Sequence, residues 1–266
     1  MDWSEVLQPR LRTIVGGDIA AEQSLPWTVA LGTTDTGAEN YFCGGTLISS
    51  RFVLTAAHCI EALGANPVLL LGTTNLSDSL GIRRKMRRSI LHPAWSNIPG
   101  VPQDDLALVE LDSPVDPNSG AEPICLPSPK IDIVNRTGLV SGWGRLVSNG
   151  PTSTLLRVAE VTVLDPQSCL QVYGEIFSDG SGLVCARGKQ LAAGEDKDDR
   201  QVVKAGYVTD ACQGDSGGGL FLEEEDHTLL IGAVSGGVGC GLEKYPGIYV
   251  DVRAYVGWIL EYVTER

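Results

Sequence analysis

Three short segments of this chain carry residue types that do nucleophilic chemistry when brought together. Gly214-Asp215-Ser216-Gly217-Gly218 sets a serine among glycines. A serine hydroxyl is a weak nucleophile until a neighbouring base takes its proton and nearby amides stabilise the oxyanion that follows. Glycines around it let the backbone make a tight, exposed turn with N–H groups facing a substrate. Thr55-Ala56-Ala57-His58-Cys59 holds one of only three histidines, a residue type able to act as that base. Asp104-Asp105-Leu106-Ala107-Leu108 places a carboxylate at the mouth of an apolar run, where it could orient an imidazole and stabilise its cation. Taken singly, each segment also has a plainer reading: a glycine-rich turn, a structural histidine, a turn aspartate before a strand.

The elements that must position these segments are mostly strands. Short apolar stretches rich in β-branched residues recur between Gly, Pro and Asn clusters: Trp27-Leu31, Thr46-Ile48, Arg51-Thr55, Val68-Leu71, Leu106-Leu111, Leu139-Ser141, Arg157-Val163, Thr228-Val234 and Ile248-Val252. Their spacing is that of an all-β sandwich or barrel, not of alternating βαβ units. One helix is expected, at the C-terminus, where Val252, Tyr255, Val256, Ile259, Leu260 and Val263 fall on one face. Five prolines between Pro114 and Pro129 mark a connection between two halves. The whole is large enough to bury a sizeable core in one large or two small domains.

Charge and cysteine usage narrow the surroundings. With 33 Asp and Glu against 20 Lys and Arg, the net charge is -13. That argues against nucleic acid, whose phosphates need a basic surface. No apolar run approaches the roughly 18 residues of a membrane span, so a soluble chain is expected. Five basic residues at 83–88 (RRKMRR) and acidic runs at 195–200 (EDKDDR) and 223–226 (EEED) read as solvated loops or strand faces. A recognition patch for a charged macromolecule is the sharper reading of the same runs.

Seven cysteines show no ligand spacing for zinc. Three local pairs suggest themselves, Cys43-Cys59, Cys169-Cys185 and Cys212-Cys240, although spacing alone does not prove connectivity. Cys125 is left over. Asn75-Leu76-Ser77 and Asn135-Arg136-Thr137 are glycosylation sequons, meaningful if the chain is secreted. Residues 1–13 hold no apolar core long enough for a signal peptide, so the expectation is a chain beginning after one or a larger precursor that has lost its front end.

The order His, Asp, Ser matches the chymotrypsin-like arrangement rather than the subtilisin or α/β-hydrolase orders. The chain resembles the trypsin-like serine proteases of the chymotrypsin family through IVGG (14–17), CGGTLIS (43–49), TAAHC (55–59), DLALVEL (105–111), SGWG (141–144), DACQGDSGG (210–218) and PGIYVDV (246–252). The resemblance implies two antiparallel Greek-key β-barrels with a C-terminal α-helix, the site lying in the crevice between them. It divides the chain into an activation remnant at 1–13, a first barrel at 14–126 and a second at 127–266. It implies His58 as general base, Asp105 as its orienting partner and Ser216 as the acyl-forming nucleophile. The amides of Gly214 and Ser216 would form the oxyanion hole. Asp210 would floor the primary pocket, lined by Ser235, Gly237 and Gly247, giving cleavage after Arg or Lys. Ile14 and Asp215 would form the activation pair of a secreted zymogen. Neither cofactor nor metal is required.

Several positions depart from the family pattern. Thr13 stands between Arg12 and Ile14, so a cut after Arg12 would yield Thr-Ile. Gly236 takes the place of the usual tryptophan, and Gly219 that of the usual proline. Residues 187–207 form an acidic insertion. Asp78 alone supplies a carboxylate in the 72–80 loop, too few for a hard cation. Cys125 matches a cysteine that relatives tether to a propeptide or light chain. An active endopeptidase is the first reading; a catalytically silent homologue acting by binding is the second.

Overall fold

The computed structural model describes residues 7–12, 14–98, 101–177, 182–191, 194–195, 202–203 and 206–263. The chain opens with β1 (Leu7–Arg12) and β2 (Asp18–Ala20), followed by β3 (Thr28–Asp35), β4 (Ala38–Leu47), β5 (Phe52–Thr55) and α1 (Ala57–Glu61). Next come β6 (Pro67–Leu71), β7 (Ile82–Leu91), a small hairpin of β8 (Ser96–Ile98) and β9 (Val101–Gln103), and β10 (Ala107–Leu111). The second half runs through β11 (Thr137–Gly142), β12 (Arg157–Val163), α2 (Pro166–Tyr173) and β13 (Leu183–Gly188). A two-stranded piece, β14 (Gly194–Glu195) and β15 (Val202–Val203), precedes β16 (Gly219–Glu223), β17 (Thr228–Gly236), β18 (Gly247–Asp251) and α3 (Val252–Val263).

Two six-stranded antiparallel barrels result. The first closes in the order β10-β5-β4-β3-β6-β7. The second runs β12-β11-β16-β17-β18-β13 and closes because β13 pairs back onto β12. Closure removes the unpaired edges that an open sheet would expose. β2 adds to β12 on the second barrel, and β1 folds back on β2. α3 crosses the other way: Val252, Tyr255 and Ile259 pack into the cluster that holds Leu54, Leu108 and Val109 of the first barrel. Leu260, expected on the buried face of this helix, is instead 42% exposed. It follows Ile259 by one residue, 100° around the helix and past the edge of the stripe. Among the described residues, no helix is long and apolar enough to cross a membrane.

Strands with both faces covered are those the apolar runs announced. Every residue of β5 and β10 is buried. β7 escaped the apolar pattern because its outward positions are basic: Arg83, Lys85, Arg87 and Arg88 are exposed, and the basic run is a strand face. Glu110 answers two of these charges, bonding Arg87 at 2.7 Å and Arg88 at 2.5 Å. α2 was also missed, being only two turns long. Its signal is its cap, for Asp165 accepts hydrogen bonds from the Ser168 N–H (3.0 Å) and hydroxyl (2.6 Å), with Pro166 opening the first turn.

Candidate active site

Each candidate segment sits where a barrel strand ends. β5 delivers His58 into α1, and a disulfide from Cys59 to Cys43 of β4 pins that short helix. Asp105 stands just before β10, fully buried. Its carboxylate takes three donors: the His58 backbone N–H on Oδ1 (3.0 Å), His58 Nδ1 on Oδ2 (2.7 Å) and the Ser235 hydroxyl on Oδ2 (2.6 Å). A carboxylate held this way fixes the imidazole with Nδ1 protonated and Nε2 free to accept a proton. The imidazole keeps one face open, its side chain being 31% exposed.

Ser216 comes from the loop that leads into β16 of the second barrel, and its backbone meets the first barrel beside His58. Its carbonyl accepts the Gly44 N–H at 2.7 Å, stitching the 212–218 loop to β4. The Cys59 sulfur lies 3.7 Å from His58 Nε2 and 3.5 Å from the Ser216 carbonyl oxygen, so base and serine border the same disulfide. Among the described residues no hydrogen bond joins the Ser216 hydroxyl to the imidazole; such contacts are often long before substrate binds. Gly217 makes the crossing possible. It has φ of +79°, and a Cβ there would stand 2.2 Å from Thr55 Oγ1 and 2.6 Å from the Gly44 carbonyl.

The loop before the serine is organised by Asp215. Its carboxylate, fully buried, accepts the Gly144 N–H (2.7 Å) and the Cys212 N–H (2.8 Å). Burial pushes its carboxyl up to about 7. The Arg145 N–H bonds the Gln213 carbonyl at 2.8 Å, while the Gly214 and Ser216 N–H groups have no hydrogen-bond partner among the described residues. Amides left without a partner at and just before a serine are donors of the kind an oxyanion uses. Ile14 is buried in the second barrel beside Val140 and Val234, with φ of +43°. That backbone is costly for a β-branched residue. The bond between it and Thr13 lies outside the described residues.

Asp210 lies at the start of the same loop, 6% exposed. It accepts the Gly241 N–H at 2.9 Å, and its own N–H bonds the Val15 carbonyl at 3.3 Å. Burial pushes its carboxyl up to about 7. A Cβ on Gly247 would stand 2.9 Å from Asp210 Oδ1, while one on Gly237 would meet nothing closer than 3.9 Å. A side chain at 247 would crowd the carboxylate, so glycine there keeps Asp210 Oδ1 clear, and Gly237 lies beside Gly247. The Cys212–Cys240 disulfide ties the two walls together, and Cys169–Cys185 ties α2 to β13.

The remaining candidates lie apart from this crevice. Cys125 is exposed and free, beside β17, where the Leu230 N–H bonds its carbonyl. Asn135 is exposed at φ +59°; Asn75 is partly buried, its side chain accepting the Ser77 N–H. Asp78 spends its carboxylate on the Leu80 N–H and Thr73 hydroxyl. Much of the 187–207 insertion lies outside the described residues, as do residues 1–6 and 13 of the expected activation remnant. Cys43, His58 and Cys59 cluster within 4.8 Å, but both sulfurs are spent in a disulfide and offer no thiolate to a metal. Gly236 is exposed with nothing within 4 Å of a Cβ, whereas a Cβ at Gly219 would run into the Phe221 ring at 2.2 Å. Sequence reasoning placed Ser235 only as a pocket residue. Its bond to Asp105, 130 positions away, left no local signal.

Residues 14–259 match the family model described as Trypsin. The chain is similar to coagulation factor XII of Bos taurus, 36% identical over 96% of this chain and 40% of that protein. It is similar to coagulation factor IX of Cavia porcellus, 33% identical over 92% of this chain and 80% of that one. Serine protease filzig of Drosophila melanogaster is 32% identical over 92% of this chain, but the match spans only 14% of that much longer protein. Two closed barrels, three disulfides and a family match across nearly the whole length agree, and the chain belongs to the trypsin family of serine proteases.

Proposed function

We propose that this chain is an active serine endopeptidase cleaving after Arg or Lys, made as a secreted zymogen. The observation that carries the reading is the Asp105 carboxylate, which bonds His58 Nδ1 from a buried site while Nε2 faces the disulfide shared with Ser216. In the reaction, Ser216 Oγ attacks the scissile carbonyl as its proton passes to His58 Nε2. Asp105 stabilises the imidazolium, and the Gly214 and Ser216 amides receive the oxyanion. The proton then goes to the leaving amine as the C–N bond breaks. Water, deprotonated by His58, attacks the acyl ester and releases Ser216. Asp210 selects the cationic side chain, since a buried carboxylate left unpaired is unfavourable. The open surface at Gly236 implies broad selectivity upstream of the cut.

Zymogen character is supported by a buried Asp215 whose donors among the described residues are backbone amides. The exposed Cys125 supports a disulfide to a propeptide or light chain, and paired cysteines support an extracellular location with Asn135 and Asn75 as candidate glycosylation sites. The test is fluorophosphonate labelling before and after limited proteolysis. Labelling that appears on cleavage and vanishes in Ser216→Ala, with about a million-fold lower turnover, is expected. Thr13 favours the second reading, a silent homologue that binds; no labelling in either state would establish it. Peptides differing only before the scissile bond test the pocket, and preferred cleavage after Phe would refute the assignment to Asp210.

A further inference from the structure

The residue before Asp105 is held in a way the reaction does not explain. Asp104 has φ of +50°, left-handed for a residue with a side chain, and the Leu106 N–H closes a turn onto its carbonyl at 2.7 Å. Such backbone persists only where its surroundings over-determine it. Here the surroundings are the C-terminal helix. Tyr255 of α3 donates its hydroxyl to Asp104 Oδ1 at 2.9 Å, across 151 positions of sequence. His92 Nδ1 stands 3.6 Å from the same oxygen, its ring set edge-on between Tyr255 and Trp258 with centroids 5.0 Å from each. The His92 N–H in turn bonds the Leu106 carbonyl at 2.9 Å. Both sides of the turn that carries Asp105 are therefore gripped. Burial and the bond to Asp104 push the Tyr255 phenol well above its ordinary value, so it stays a donor throughout the neutral range.

We propose that Tyr255 is a positioning residue for catalysis: its bond to Asp104 holds the left-handed turn that aims the next carboxylate, Asp105, at His58 Nδ1. The C-terminal helix is thereby part of the active-site scaffold of the first barrel. A turn freed at Asp104 can rotate the 104–105 peptide, and a displacement of a fraction of an ångström at Asp105 lengthens a 2.7 Å bond that fixes the base. The proposal rests on the reading of His58 and Asp105 as base and orienting partner.

Tyr255→Phe removes one hydroxyl and leaves the ring between its neighbours. In the cleaved enzyme, normalised by active-site titration, kcat should fall about 3- to 10-fold with KM for an Arg peptide within twofold, because the Asp210 pocket is untouched. The low-field proton resonance of His58 Nδ1–H should shift or broaden. Asp104→Asn keeps an acceptor and tolerates the left-handed backbone, and should stay within twofold of the parent. Asp104→Ala loses both and should match or exceed the Tyr255→Phe defect. Should Tyr255→Phe fail to fold, the Asn and Ala pair at 104 makes the same comparison. Unchanged kcat and resonance in Tyr255→Phe, or equal behaviour of Asp104→Asn and Asp104→Ala, overturns the proposal. A parent protein without turnover or labelling would remove the enzymatic reading, yet the proton resonance would still report whether Tyr255 holds Asp105 against His58.

Discussion

Two buried carboxylates lie five positions apart in one loop, and their surroundings give them different tasks. Asp210 accepts the Gly241 N–H on Oδ2 and lies beside Gly247, whereas Asp215 takes backbone amides on both oxygens. Asp210 is pushed up to about 7 by burial, so in the proposed pocket a cationic ligand would have to displace its proton. An amidinium favours the ionised form, so its affinity should rise as pH climbs from about 5 to about 7 and then level. Calorimetry of benzamidine binding at pH 6 in two buffers of different ionisation heat should report close to one proton released per ligand. Binding that strengthens toward low pH, or releases no proton, would mean that Asp210 does not face the ligand. Ser235→Ala makes a separate residue-scale prediction. It takes one of three donors from Asp105, a loss on the order of 1.4 kcal/mol, and should lower kcat about tenfold with KM little changed.

Between elements, the decisive contact is the backbone crossing of the 212–218 loop against β4 and β5. Gly217→Ala would need a Cβ 2.6 Å from the Gly44 carbonyl, a backbone atom that cannot swing aside, at a left-handed φ. Loss of labelling and a fall in melting temperature on the order of 5 °C are expected. Thr55→Ala should not rescue it, since the second obstruction is main chain. The segments meeting at this crossing were legible in sequence because each motif is local: glycines beside a serine, a histidine beside a cysteine, an aspartate opening an apolar strand. The contacts uniting them were not. Asp105 meets Ser235, and Asp104 meets Tyr255, only after both barrels and the last helix have closed. β7 hid behind alternating arginines, and α2 was too short for its periodicity to show, although its capping residues were in view. Nothing in the pattern of α3 said that its aromatic residues would reach across to the first barrel and grip a turn there.

Over the whole molecule, β1 and β2 join the second barrel while α3 packs on the first, and the proposed activation switch falls on the segment through Ile14. β1 and β2 extend the second barrel, and Val15 bonds the Asp210 N–H, so the segment through Ile14 is continuous with the pocket. Among the described residues no cation stands beside the buried Asp215, and its carboxyl rises to about 7. The sign of the linkage follows. A carboxyl whose folded value lies above its unfolded value of about 3.9 binds more protons in the folded state between about pH 4 and 7. Stability therefore declines as pH rises through that window. If Ile14 and Asp215 form the proposed activation pair, a cut directly before Ile14 creates an ammonium that keeps Asp215 ionised and removes this part of the decline. Thermal melts of the uncut protein should thus give a lower midpoint at pH 7.5 than at pH 5, by on the order of 5 °C. Asp215→Asn should remove about half of that difference, because Asp210, raised to the same value, keeps its own share, and cleavage before Ile14 should do the same. Cleavage after Arg12 leaves Thr13 ahead of the isoleucine and should flatten it less, because the ammonium is then one residue out of register with the buried carboxylate. N-terminal sequencing of each cleaved sample fixes which cut was made. Equal pH dependence in the uncut, Asp215→Asn and Ile14-terminated proteins would show that Asp215 is not the residue the new terminus serves.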